Sequence, residues 1–151
     1  MGVQALTNTE RKKKKKFQDV VTVFITLGGK VLVLKRSGEV RTYKGHWAGV
    51  SGYLEKKDPL KQAYEEMFEE IGLEKEDVSL VKTGKPLEVF DPVGEHAWRV
   101  HPFLFVVHSP DKIRLNWENV EMRWVLPEEI IQLQTVPALK EALERVLPGG
   151  D

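Results

Sequence analysis

Glu65, Glu66, Glu69 and Glu70 lie within six consecutive residues of a segment whose pattern is helical. A helix advances about 100° per residue, which places Glu66, Glu69 and Glu70 in a sector of roughly 100°. Like charges this close destabilise an isolated helix. A divalent cation held by oxygen ligands is the simplest compensation. Glutamate-rich helices are also common solvated faces, so the flanking residues matter. Asp58-Pro59 supplies an N-cap followed by proline at the first helical position, and Gly72 suits the C-terminal cap. Leu60, Ala63, Tyr64, Met67, Phe68 and Ile71 form an apolar face at helical spacing. The acidic side is then the non-core side. It is expected to look back at a strand that begins at Trp47 and ends in a Gly49-Val50-Ser51-Gly52 turn.

The elements around this helix follow from local patterning. Phe17 to Leu27 is rich in β-branched residues, Gly28-Gly29 is a two-residue hairpin turn, and Lys30 to Lys35 returns as a second strand. The polar, basic stretch 36–46 reads as a loop leading into Trp47, and Arg36, Arg41 and Lys44 within it are candidates for holding substrate phosphates. Residues 78–89 read as extended pieces around Gly84-Lys85-Pro86, 90–95 as a turn, and 97–108 as a long strand. A polar loop at 114–119, a strand at 120–126, a short helix from Pro127 and an amphipathic helix after Pro137 complete the chain. Strands with interspersed helices and hairpins predict an α+β fold, an α/β sandwich with a mixed sheet and flanking helices.

The chain of 151 residues is expected to form one domain over 17–151, preceded by a basic, flexible tail at 1–16. Its net charge of zero is uneven: Arg11 to Lys16 hold six positive charges, whereas 17–151 carries a net −5. Such a run beside a terminus is usually solvated, so nucleic acid is not expected as a partner. There is no cysteine, which excludes thiolate zinc sites and cysteine nucleophiles. No apolar run reaches the roughly 18 residues of a membrane span. A cytoplasmic protein without a membrane partner is expected, and a homodimer is compatible with the sequence.

The chain resembles a Nudix hydrolase. That family's signature is G, five residues, E, seven residues, then R-E-U-x-E-E-x-G-U, with U a bulky aliphatic. Glu66, Met67, Glu69, Glu70, Gly72 and Leu73 occupy E, U, E, E, G and U, and Trp47-Ala48-Gly49-Val50-Ser51-Gly52 matches the approach to the box. Three departures stand out. Glu65 replaces the arginine that in the family steadies a metal-binding glutamate. The spacing from Gly52 to Glu66 is one residue short, leaving Asp58 as an uncertain counterpart of the upstream glutamate. Ser51-Gly52 replaces Gly-Gly, a mild change because the family uses a backbone carbonyl there.

The resemblance implies metal-dependent hydrolysis of a pyrophosphate bond in a nucleoside diphosphate linked to another moiety, with Mg²⁺ or Mn²⁺ as cofactor. Glu66 and Glu70 are the first metal ligands it implies, Glu69 the third and the Ser51 carbonyl the fourth. Glu66, Glu69, Glu70 and Glu118 form the expected catalytic set. Glu118 and Glu95 are the candidates for a general base lying after the box. Tyr43, Trp98, Trp117 and Trp124 are candidate platforms for a base, and His96 and His101 are taken as ordinary. The altered box also admits a Nudix-fold module that binds a nucleotide with little or no hydrolysis. An isoprenyl diphosphate isomerase is disfavoured by the missing cysteine.

Overall fold

The structure, a computed structural model, describes residues 4–5, 17–55, 58–93 and 95–148. Its strands are β1 (Gln4–Ala5), β2 (Gln18–Leu27), β3 (Lys30–Arg36), β4 (Trp47–Ala48), β5 (Val50–Tyr53), β6 (Val78–Thr83), β7 (Leu87–Asp91), β8 (His96–Val107) and β9 (Asn119–Val125). Its α-helices are α1 (Pro59–Ile71) and α2 (Leu139–Glu144), with short 3₁₀ turns at Lys75–Asp77, Pro110–Lys112 and Pro127–Gln132. The basic run at 11–16, expected as a tail, lies outside the described residues; Gln4 and Ala5 pair with Phe90 and Val89 of β7.

One sheet holds all the strands. Its centre is a parallel pair, β2 beside β8, in register from Gln18 opposite Trp98 to Thr26 opposite Val106. Among the described residues the other strand-to-strand pairings are antiparallel, so the sheet is mixed as expected. Each central strand changes partner along its length. The first half of β2 pairs with β5 and its end with β3, while the first half of β8 pairs with β7 and its second half with β6. The hairpin from β2 to β3 turns at Gly28 and Gly29, both with positive φ (57° and 80°), the backbone that a two-residue turn of matching twist requires.

Alternation along β2 sends Val21, Val23 and Ile25 to one face and Phe24 to the other. The first face packs Ala63, Met67 and Ile71 of α1 with Phe103, Phe105 and Val107 of β8. The second packs Leu139, Ala142 and Leu143 of α2, and Val146 just beyond it, with Val31, Val33, Val100 and Leu104. Helices thus cover both faces of an α+β sandwich. Among the described residues no helix is long and apolar enough to cross a membrane.

Two local expectations are corrected. Gly49 to Gly52 is not a turn: β5 runs through it, paired with β2 from Val50 opposite Val23 to Tyr53 opposite Val20. Two glycines and a serine look like turn chemistry, but Gly49 is there for close approach, since a Cβ would sit 2.9 Å from the Val23 carbonyl oxygen. The acidic side of α1 looks back at Ser51 and Gly52 as expected, but it is not a non-core side. Glu66 and Glu70 are 9% and 3% exposed, whereas Phe68, assigned to the apolar face, is 58% exposed. The buried arc of the helix is shifted toward Gln62, Glu66 and Glu70, and Phe68 falls off its far edge.

Candidate active site

The helix that carries the glutamates is capped at both ends by its own sequence. Asp58 Oδ1 accepts from the Leu60 N–H at 3.0 Å, Pro59 opens the first turn, and Gly72 closes the last with φ 74°. This frame sets Gln62, Glu66 and Glu70 in a row one turn apart, against β5. The Glu66 carboxyl lies where a Cβ on Gly52 would be, 2.3–2.5 Å from its atoms, so only glycine leaves it room. Glu66 Oε2 accepts from Gln62 Nε2 at 2.8 Å. Glu70 Oε2 accepts from the Ser51 N–H at 3.1 Å, and its Oε1 from Asn119 Nδ2 at 3.3 Å.

The loop after the second 3₁₀ turn is docked on the end of α1. The Arg114 N–H donates to the Ile71 carbonyl at 2.9 Å and the Asn116 N–H to that of Glu70 at 3.2 Å, using acceptors that a helix end leaves over. Asn116 then turns the chain. Its Oδ1 accepts from the Glu118 N–H at 3.0 Å and its Nδ2 donates to Glu118 Oε1 at 3.1 Å. A further tie, the Ser37 N–H to the Glu118 carbonyl at 2.8 Å, joins this loop to the 36–46 loop.

Burial is the main influence on the acids so assembled. It pushes Glu66 from 4.5 up to about 7, with Glu69 and Glu118 adding to the rise against the Gln62 hydrogen bond. Burial also raises Glu70 well above the usual range, helped by the charges of Glu118 and Glu66 and opposed by Asn119 and the Ser51 N–H. Arg36 is held down by burial and up by Glu70 and Glu118, and a guanidinium remains a cation at neutral pH. Its Nε donates to the Thr42 carbonyl at 2.9 Å and its Nη2 to Thr42 Oγ1 at 3.3 Å.

A stability trend follows for the metal-free protein. Between pH 4.5 and about 7 the folded chain holds a proton on Glu66 that the unfolded chain has lost. Stability therefore falls as pH rises through that window, and Glu70 acts in the same direction. Melting temperatures in chelator across pH 5 to 8 check this; a curve that rises over that range contradicts it.

A cleft of about 330 Å³ opens beside the acids. Glu66, Glu69, Glu118, Ser51 and Gly52 line it together with Arg36, Tyr43, Tyr53 and Trp98, and Val20, Thr22 and Val100 contribute from the central strands. Tyr43 and Trp98 approach at 6.1 Å between ring centroids, and the Tyr43 hydroxyl donates to Asp91. Tyr43 holds a left-handed backbone (φ 51°), unusual for a bulky residue.

The residues singled out from sequence are thus partly gathered. Glu66, Glu69, Glu118, Arg36 and Ser51 share the cleft, with Glu70 buried next to them. Arg41 and Lys44 are exposed and outside the cleft lining, so Arg36 is the member of the expected trio that reaches it. Glu95 is exposed and also outside the lining. Trp98 and Tyr43 line the cleft; Trp117 is exposed, and Trp124 packs against the α1-side core. His96 stacks on Trp98 at 5.0 Å, and His101 Nε2 lies 2.9 Å from Asp19. The sequence reading missed Gln62, Asn119 and Asp91. Gln62 had a signal in its spacing four residues before Glu66, whereas Asn119 and Asp91 meet their partners only through the fold.

The donor set suits a hard divalent cation. The expected set consists of carboxylates and a backbone carbonyl, two of the carboxyls are buried side by side, and the charge of Glu66 raises the proton affinity of Glu70. Among the described residues no three carboxylate or imidazole groups already form a finished ligand set. Glu66 and Glu70 rest instead on the hydrogen bonds from Gln62, Asn119 and Ser51. The oxygen-rich chemistry of these groups fits such a cation.

Comparison with known proteins agrees with this geometry. The family model of the NUDIX domain matches residues 16–146. A NUDIX hydrolase from Nitrosomonas europaea superposes with a TM-score of 0.68 at 20% identity, over 86% of this chain and 88% of the other. The Ap4A hydrolase of C. elegans, in a binary complex, gives 0.67 at 19% identity over 85% and 93%. The MutT protein of Methanosarcina mazei Go1 gives 0.63 at 25% identity over 87% and 94%. A search of curated protein sequences returns no match. With the family model covering most of its length and the box residues drawn together beside a cleft, the chain belongs to the Nudix family and is a Nudix-type pyrophosphohydrolase.

Proposed function

We propose that the chain hydrolyses a pyrophosphate bond in a nucleoside diphosphate linked to another moiety, with Mg²⁺ or Mn²⁺. The observation that carries this reading is the shared cleft, in which Glu66, Glu69 and Glu118 meet Arg36, Tyr43 and Trp98. Members of the family act on nucleotide-type substrates and generally use divalent metals. Glu66 and Glu70, with Glu69 and the Ser51 carbonyl, would hold the ion. When bound, it supplies charge neutralisation at the phosphate oxygens and a more acidic water.

The remaining work falls to the chain's own groups. Glu118 is the acceptor for the proton of the attacking water, its carboxyl oriented by the Asn116 amide. Arg36, anchored on Thr42, directs its guanidinium at phosphate oxygens. Tyr43 and Trp98 offer ring faces to a nucleobase, Tyr43 being fixed by Asp91.

The test is a panel of nucleoside triphosphates, dinucleoside polyphosphates and nucleotide sugars, each with Mg²⁺ and with Mn²⁺; the C. elegans neighbour's name recommends Ap4A among them. Metal-dependent release of a nucleoside monophosphate from at least one member is expected. No turnover on any of them, together with measurable nucleotide binding, would favour a binding module instead, the reading that Glu65 in place of the box arginine invites.

A further inference from the structure

Glu65 stands where the family has arginine, and the stretch from Gly52 to Glu66 is one residue short. The neighbour that holds the Glu66 carboxyl in the structure is Gln62. Gln62 is 2% exposed and one turn before Glu66. Its Nε2 donates to Glu66 Oε2 at 2.8 Å, and its Oε1 accepts from the Glu55 N–H at 3.2 Å. A single neutral side chain therefore ties the end of the shortened loop to the carboxyl group. On its other side Glu66 meets the bare Cα of Gly52, so the carboxyl is confined between an amide and a backbone.

We infer that Gln62 is a positioning residue that stands in for the box arginine, holding Glu66 ready for a divalent cation. The inference rests on the reading of Glu66 as a metal ligand. The two devices differ in kind. A guanidinium holds a carboxylate by charge and direction and neutralises part of it; an amide supplies direction alone and leaves the charge for the cation. Glu70 is treated in the same way, since its hydrogen bonds come from the Asn119 amide and the Ser51 N–H. The second atom of the same amide is engaged as well, by the Glu55 N–H. Gln62 has no free end with which to turn away.

The test measures Mn²⁺ binding to the full chain without substrate, by titration calorimetry and by the electron paramagnetic resonance signal of the ion. Gln62→Met keeps the length and packing of the side chain and removes both hydrogen bonds. A folded Gln62→Met protein, judged by circular dichroism, should bind Mn²⁺ about 10- to 100-fold more weakly than wild type, the range for losing a group that orients a ligand. Should that variant fail to fold, Gln62→Ala is measured against the same expectation. Wild-type affinity in either folded variant overturns the inference and leaves the proposed function standing. A wild-type protein that binds no Mn²⁺ overturns the metal reading itself.

Discussion

Glu70→Gln is expected to lower turnover by on the order of a thousandfold, the scale of several kcal/mol of transition-state stabilisation. In chelator it should melt no lower than wild type. The second half of this expectation is less usual for a buried residue. Glu70 is 3% exposed and is disfavoured as an anion by burial and by Glu118 and Glu66. Glutamine keeps its shape and removes that charge. It retains one acceptor oxygen for the Ser51 N–H, and Asn119 can turn its amide to present an oxygen to the new NH₂. With divalent ion the order reverses. A ligand at 100 times its dissociation constant stabilises the native state by about 2.7 kcal/mol, and wild type gains this while the variant does not. Melting with and without metal, alongside turnover on the active panel substrate, checks both halves. Turnover within tenfold of wild type would remove Glu70 from the metal site.

The next largest effect is expected from a single methyl group. Gly52→Ala places a Cβ 2.3–2.5 Å from the Glu66 carboxyl atoms, an impossible contact, so the carboxyl must move. The atoms in the way are the far end of a side chain, so the fold yields cheaply while the site does not. Turnover should fall about a hundredfold, with a melting temperature within a few degrees of wild type. Gly49→Ala, three residues earlier, is the control with the opposite outcome. Its Cβ would meet the Val23 carbonyl oxygen at 2.9 Å, and that oxygen belongs to a central strand that cannot step aside. This variant should lose about 1–3 kcal/mol of stability. Kinetics and thermal unfolding of the pair decide the matter. A fully active Gly52→Ala protein would show that the Glu66 position is not used.

The contrast between these neighbours also shows how far the sequence could be read. The helix, its caps and the box spacing depend on local signals, and Asp58, Pro59 and Gly72 sit where those signals put them. The parity of β2 and the stripe of α2 are local as well. What the residues alone did not reveal is which groups become buried. Glu66 and Glu70 read as part of a non-core side because local spacing does not show what will cover them. Only the approach of β5 and the 113–118 loop takes the solvent away. The Gly49–Gly52 stretch read as a turn for a related reason. Glycine there answers to the crowding of neighbouring groups, and crowding is invisible until the strands are laid side by side. Asn119 and Asp91 belong to the same class, since each is 48 or 49 residues from the side chain it holds.

The loop that carries Glu118 is attached to two of the carbonyls that α1 leaves over at its C-terminus. That attachment makes the last turn of the helix and the loop one cooperative unit. Fraying of α1 at Glu70 and Ile71 would release Arg114 and Asn116, and with them the candidate base. Local opening there would displace Glu70 and Glu118 in one event.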